Sequence, residues 1–296
     1  MSSETAQSVQ ELYRTASDVR GSWHGDAERA TGYFRRYVDF VLRAAAVAGR
    51  ASGGAGDTAM PRLLDIGCGA GWSAFSFARE GFETTGVDLN ARAFEPPPTP
   101  GLTLQEASGM DLPFEKDAFD VVTMYQTLEH IPDPARALEE MIRVCKPGGI
   151  VCVVGPNLLG AVLPLKAAVN ALRNRPARTI FFRSPSMPRH TTGNTLPEAL
   201  ACFPVTLARL IGKALSRRAR FTMREPDLIP PFQADNDACY LCNPLDLVRF
   251  FAAHGCPILQ NGAYGRTPLA AYVAGGTWIA ARASKNPEQH EQHDAS

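Results

Sequence analysis

The stretch LLDIGCGAGWSAFSFAREG, Leu63 to Gly81, sets the strongest limit on what this chain can fold into. The apolar run RLLDI reads as a buried strand, the Gly-x-Gly-x-Gly after it as a tight turn, and the segment from Trp72 as a helix. Glycine tolerates positive φ and carries no Cβ, so a ligand can lie directly against the main chain and the first helical N–H groups. The unit calls for a ligand site at the carboxyl end of its strand.

The pattern around it is regular: RLLDI, WSAFSFAREG, ETTGVDL, LTLQEA, FDVVTMYQ, the helix PARALEEMIRVCKPGG, then GIVCVV. Short apolar strands alternating with helices or turns predict a parallel α/β sheet covered on both faces. Residues 1–60 read as a helical cover and hinge. There Tyr33, Phe34, Tyr37, Phe40 and Val41 fall at helical spacing as a core stripe, before the flexible run ASGGAGDTA. A core over 61–155 follows. Residues 156–243 break the alternation and read as a mainly helical lid inserted between the fifth strand and its following helix. PLDLVRFFAAHG, CPILQNG and TWIAARAS return the chain to the core over 244–283 as a helix and the last two strands. Residues 284–296 are polar and expected to be disordered, which makes His290 and His293 poor metal ligands.

With 296 residues, 45% hydrophobic and 20% charged, the chain can bury a large core, and no metal site is expected. Thirty basic residues against thirty acidic ones give no whole-chain reason to expect nucleic acid. The start MSSETAQSVQELYR lacks a basic, then apolar, leader pattern, so the expected location is cytoplasmic. Seven scattered cysteines do not suggest a disulfide framework, and Cys239 and Cys242 form a C-x-x-C without a second ligand pair.

Two ligand classes fit the glycine turn. Gly69-Ala70-Gly71-Trp72-Ser73-Ala74 matches the dinucleotide fingerprint, with Asp88 near the position of a ribose-binding acid, and by itself would suggest an NAD(P)-dependent oxidoreductase. The wider register, Asp65-x-Gly67-x-Gly69-x-Gly71, instead resembles motif I of class I S-adenosylmethionine-dependent methyltransferases. The similarity continues in GVDLN, in ASGMDLPFEKDAFDVV and in LEHIPDPARALEEMIRVCKPGG, the last typical of the type 11 small-molecule subgroup. The resemblance implies a Rossmann-like seven-stranded α/β sheet, S-adenosyl-L-methionine as cofactor, and methyl transfer to O, N or C of a small molecule. A non-methylating member that only binds the donor is the other reading within the family.

By that resemblance, Gly67, Cys68, Gly69 and Gly71 line the donor, and Asp65 faces its ammonium through water. Asp88 with Leu89 takes the ribose, and Met110, Asp111 and Leu112 take the adenine. Asp65 could instead cap its turn and Asp111 could be a turn former. Trp72, Tyr125 and Tyr13 are aromatic candidates for the sulfonium, a cation that rings attract. His130, after the fourth strand, is the first choice of general base, with a turn-holding role beside Glu129 as the rival reading. His190 is weaker, and His254 before Gly255 reads as a helix C-terminal residue.

The insertion is locally basic and combines apolar faces with Lys and Arg, as in LPEALACFPVTLARLIGKALSRRAR. It is expected to cover an acceptor pocket, with His190, Asp235, Asp237 and Tyr240 as acceptor contacts. Its basic face either is solvated or touches a membrane surface or a lipid-linked or sugar acceptor. A purely membrane-binding protein is the alternative of a different class. No nucleic-acid module is recognised.

Overall fold

The computed structural model describes residues 1–15, 26–49, 60–159, 168–170, 172–173, 196–226, 228, 237–262 and 276–284. Its strands are β1 (Arg62–Ile66), β2 (Glu83–Asp88), β3 (Leu102–Glu106), β4 (Phe119–Tyr125), β5 (Cys145–Gly155), β6 (Ile258–Asn261) and β7 (Thr277–Arg282). They form one seven-stranded sheet in the order β3-β2-β1-β4-β5-β7-β6. Neighbours from β3 to β5 are parallel. Strand β7 runs antiparallel to both β5 and β6. This is the expected Rossmann-like α/β sheet. Its order reverses between β1 and β4, so their carboxyl ends open a crevice for a ligand.

The central strands are apolar on both sides because helices cover both faces. Leu64, Ile66, Val122, Met124, Val151 and Val153 turn to one face, where α4 (Pro134–Val144) and α6 (Pro244–Ala253) bring Leu138, Met141, Leu247 and Phe251. Leu63, Val121, Ile150, Cys152 and Val154 turn to the other, against Phe40 and Val41 of α2 (Ala27–Val47) and Phe77 of α3 (Trp72–Arg79). Helix α1 (Ser3–Thr15) precedes these. Of the stripe expected to be core, Tyr37, Phe40 and Val41 are buried, but Tyr33 is 55% exposed. It stands near the N-terminal end of α2, where its ring meets the last residue of β4, Tyr125, edge-on at 6.5 Å, and its neighbour Phe34 at 5.0 Å.

Local chemistry sets the helix starts. Asp133 accepts from the Arg136 N–H at 3.0 Å and Asn243 from the Leu245 N–H at 3.0 Å. Each is followed by a proline at the first helical position, where the missing N–H costs nothing. Helix α4 stops at Val144, short of the expected Gly149, and the chain enters β5 at Cys145, paired with Phe119. A Cβ on Gly149 would stand 2.7 Å from the Asp120 carbonyl oxygen, so the backbone already lies hard against β4 there.

Helix α5 (Leu196–Leu215), within the insertion, is anchored to α6 by a buried ion pair. Lys213 is 3% exposed and Asp246 fully buried, and the ammonium donates to the carboxylate and, at 2.5 Å, to the Arg220 carbonyl. The Tyr240 hydroxyl and the Arg220 N–H also donate to Asp246, at 2.9 and 3.1 Å. Burial pulls the Lys213 pKa down while Asp246 opposes the shift. Removing one partner strands the other in a dry site. Asp246→Ala is therefore expected to cost about 3–5 kcal/mol, read as a lowered denaturant midpoint.

Candidate functional site

Turns at the carboxyl ends of β1, β2 and β4 meet at one place. The Gly67 and Cys68 N–H groups both donate to the Val87 carbonyl, at 2.8 and 3.1 Å, which ties the glycine turn to β2. Gly67 has φ +69°, and a Cβ there would stand 2.3 Å from the Thr127 side chain. Thr127 in turn donates from its hydroxyl to the Tyr125 carbonyl at 2.9 Å. Gly69, with φ +58°, differs: among the described residues no atom outside its own neighbours lies within 4 Å of the position a Cβ would take, so its backbone is bare. At the end of β2 the two oxygens of Asp88 accept from the Gly69 N–H at 2.8 Å and the Asn90 N–H at 3.1 Å. A carboxylate has lone pairs beyond those two bonds.

Asp65 lies one step deeper. It is 1% exposed, and its oxygens accept from the Tyr37 hydroxyl at 2.9 Å and the Ser73 hydroxyl at 2.5 Å. Burial, reinforced by the Asp88 charge and opposed by these two hydrogen bonds, pushes its carboxyl up to about 7.

The segment after β3 forms the third wall. Ser108 and Asp111 bridge, with Asp111 exposed and Met110 partly buried. Leu112 is 4% exposed, and α4 grips its backbone. The Glu140 carboxylate accepts the Leu112 N–H at 2.8 Å, Arg143 donates to the Leu112 carbonyl at 3.0 Å, and Glu140 and Arg143 pair with each other at 2.7 Å. A Cβ on Gly109 would stand 2.9 Å from Ile66, so this loop packs directly over the end of β1.

Beyond β4, a 3-10 turn (Leu128–His130) carries a polar cluster. His130 Nδ1 lies 3.3 Å from Asp237 Oδ2, and Nε2 lies 3.8 Å from Glu129 Oε1. The Tyr13 hydroxyl donates to the same Asp237 oxygen, and the Tyr13 and His130 rings are 5.5 Å apart. Burial first, then Asp237, pushes the Tyr13 phenol far above its ordinary value, so it stays protonated. Glu129 is fully buried, and its carbonyl accepts from the Cys239 and Tyr240 N–H groups at 2.7 and 3.0 Å. Residues from the chain start, the core and the insertion thus converge on one imidazole.

The methyltransferase-domain family matches residues 64–153. A ubiquinone biosynthesis O-methyltransferase of Albidiferax ferrireducens is 33% identical over 156 residues, covering 45% of this chain and 62% of that protein. One from Paracidovorax citrulli is 40% identical over 98 residues, covering 30% of this chain and 41% of that protein. The chain therefore spans 62% or less of these curated relatives. Residues 64–153 belong to the type 11 methyltransferase-domain family of class I. Among solved structures, a putative S-adenosylmethionine dependent methyltransferase from Listeria monocytogenes aligns with TM-score 0.49 and 14% identity, covering 81% of this chain and 98% of that one. A phosphoethanolamine N-methyltransferase 2 of Haemonchus contortus, in complex with S-adenosyl-L-methionine, aligns with TM-score 0.32 and 26% identity, over 38% of this chain and 27% of that one.

The parts a donor cradle calls for stand together here: the open Gly69 backbone, Asp88 at its N–H, and the 108–112 loop over the end of β1. Several expected contacts lie elsewhere. Trp72 is 1% exposed, packs against Phe75 at 5.3 Å and donates to Glu95 at 2.8 Å, so it is a core residue with no ring face for a sulfonium. Tyr240 is fully buried on Asp246 and anchors the insertion instead of meeting an acceptor. The Cys68 side chain is buried beside Gly86, which leaves its backbone for the loop. Asp65 has both oxygens engaged by protein hydroxyls. Tyr125 sits at the end of β4, 4.6 Å from the Tyr37 ring, and Leu89 follows Asp88 half-buried. His254 caps α6 as expected, its Nδ1 2.8 Å from the Phe250 carbonyl. His190 and Asp235 lie outside the described residues. Sequence reading missed Ser73, Thr127, Glu140 and Arg143; only the Glu140/Arg143 spacing, one helical turn on α4, carried a signal.

Two outcomes are expected. Between the ordinary carboxylate value of 3.8 and about 7, folded Asp65 holds a proton that the unfolded chain has lost. Its contribution to stability therefore declines as pH rises through that window. Melting temperatures of wild type and Asp65→Asn across that range should show a shallower decline in the variant; parallel curves would remove Asp65 as the cause. Asp88→Ala should weaken S-adenosylmethionine binding by about tenfold or more in calorimetry, through lost charge-assisted hydrogen bonds. Unchanged affinity would refute the ribose assignment.

Proposed function

We propose that this protein moves a methyl group from S-adenosylmethionine to a hydroxyl oxygen of a small-molecule acceptor, a sugar or a lipid-linked metabolite. The observation that carries the reading is His130 at the end of β4, with Asp237 3.3 Å from Nδ1 and the Tyr13 hydroxyl on the same carboxylate. The names of the O-methyltransferases similar to the domain support oxygen as the atom methylated.

Bound S-adenosylmethionine supplies a methyl group made electrophilic by its sulfonium. What the chain supplies is position and a proton acceptor. The Asp237 carboxylate, 3.3 Å from Nδ1, favours the tautomer with its proton on that nitrogen, which leaves Nε2 to take the proton of the acceptor hydroxyl. The imidazolium then lies between Asp237 and Glu129, whose negative charges stabilise it. Tyr13, kept protonated, fixes the Asp237 carboxylate and closes α1 over the site.

Methyl-labelled donor incubated with host extract, and partitioned between organic and aqueous phases, finds the acceptor class. With that acceptor, His130→Ala is expected to lower kcat about 10²–10⁴-fold and leave donor Kd unchanged. Asp237→Asn is expected to lower kcat less, with a shifted pH profile. Full turnover in His130→Ala would point to a nitrogen or carbon acceptor that needs no base. Stabilisation by NAD and not by S-adenosylhomocysteine would favour the oxidoreductase reading. Donor binding without labelled product would favour a non-methylating member.

A further inference from the structure

Helix α5 turns one flank inward and leaves another bare. Thr206 and Lys213 are 2% and 3% exposed, and Leu210 packs on the cluster of Leu158, Leu159 and Leu241. Phe203, Leu207, Ile211 and Leu215, each four residues after the last, are 37%, 59%, 49% and 80% exposed. Residues four apart on a helix share a face, so these side chains form one continuous apolar stripe. The Lys213–Asp246 ion pair, with Arg249 donating to the Lys213 and Ala214 carbonyls, fixes the helix in rotation and so fixes where the stripe points.

Charge selects the occupant. Arg217 and Arg218 are exposed just past the end of the stripe, and no acidic residue occurs between Phe203 and Arg220. An anionic surface beside the apolar stripe complements these arginines. The preceding segment 160–195 carries Lys166, Arg173, Arg175, Arg178, Arg183 and Arg189 with no Asp or Glu, so it offers them no countercharge. No described helix is long and apolar enough to cross a membrane. We propose that α5 docks in plane on an anionic lipid surface, with Phe203, Leu207, Ile211 and Leu215 entering the acyl boundary and Arg217 and Arg218 meeting the headgroups. This docking is independent of methyl transfer, and it would bring the chain to acceptors that reside in or on a bilayer.

The test is flotation of the full chain, without donor, on vesicles of phosphatidylcholine alone or mixed with phosphatidylglycerol. Wild type is expected to float with the mixed vesicles, and to stay behind with phosphatidylcholine alone or at high salt. Leu207→Glu/Ile211→Glu should lose roughly tenfold or more of the binding, because the apolar contact is removed. Arg217→Glu/Arg218→Glu should lose the preference for anionic lipid. Near-UV circular dichroism checks folding, and Leu207→Gln/Ile211→Gln replaces the glutamate pair should that variant not fold. Failure of wild type to float with mixed vesicles overturns the proposal. So does flotation of a folded stripe variant at the wild-type level, or a wild-type dimer in light scattering that the stripe variant abolishes without any flotation.

Discussion

The candidate site depends on a carboxylate that touches no solvent. Asp65 closes β1 under the glycine turn, and its two oxygens are held by Tyr37 of α2 and Ser73 of α3. The Tyr37 hydroxyl also lies 2.5 Å from Thr123 of β4, so one small polar knot joins the helical cover, the helix after the glycine turn and the two central strands. Apolar packing would hold these elements together but would not set their rotation as sharply, since hydrophobic contact is non-directional. Directional bonds in a dry place do set it, and they keep the turn above Asp65 in the conformation that bares Gly69. The cost of burial appears in the raised Asp65 pKa.

The strands were legible because their signals are local. RLLDI and FDVVTMYQ carry mostly apolar runs and ETTGVDL a short run rich in β-branched residues, and each becomes a strand of the sheet. The boundary of α4 was misread because CKPGG looks like a helix end, whereas pairing of Cys145 with Phe119 draws the chain into β5 earlier. Tertiary pairing outweighed the local signal. Side-chain roles were less legible than elements. Tyr37 reads as one more aromatic on a helical stripe, and nothing in its spacing says that its hydroxyl reaches Asp65. Trp72 reads as a ring beside a donor site, but its place in the first turn of α3 points it back into the core against Phe75 and Ala30.

The insertion divides in the same way. Its amphipathic character was visible in the sequence, because basic and apolar residues alternate at helical spacing along LPEALACFPVTLARLIGKALSRRAR. Which flank faces the core was not, since that depends on Lys213 finding Asp246 on a helix 33 residues away in the chain. Once that pair is made, Tyr240 goes to the same carboxylate and is lost to any acceptor. Asp237, three positions earlier and outside that knot, reaches His130.

The residues gathered around the glycine turn and His130 come from different parts of the chain, and the family likeness covers only some of them. The glycine turn, Asp88, the 108–112 loop and His130 all lie within residues 64–153, the stretch that matches the methyltransferase domain. Tyr13 and Asp237, which stand against the His130 ring, lie outside it. A core that holds an invariant donor can keep one geometry, while the segments that meet the acceptor vary around it. Tyr13 of α1 and Asp237 of the insertion are the residues outside that stretch that the structure brings to His130. The helix that anchors the insertion to the core through Lys213 also turns an apolar flank outward, with Arg217 and Arg218 exposed just past its end.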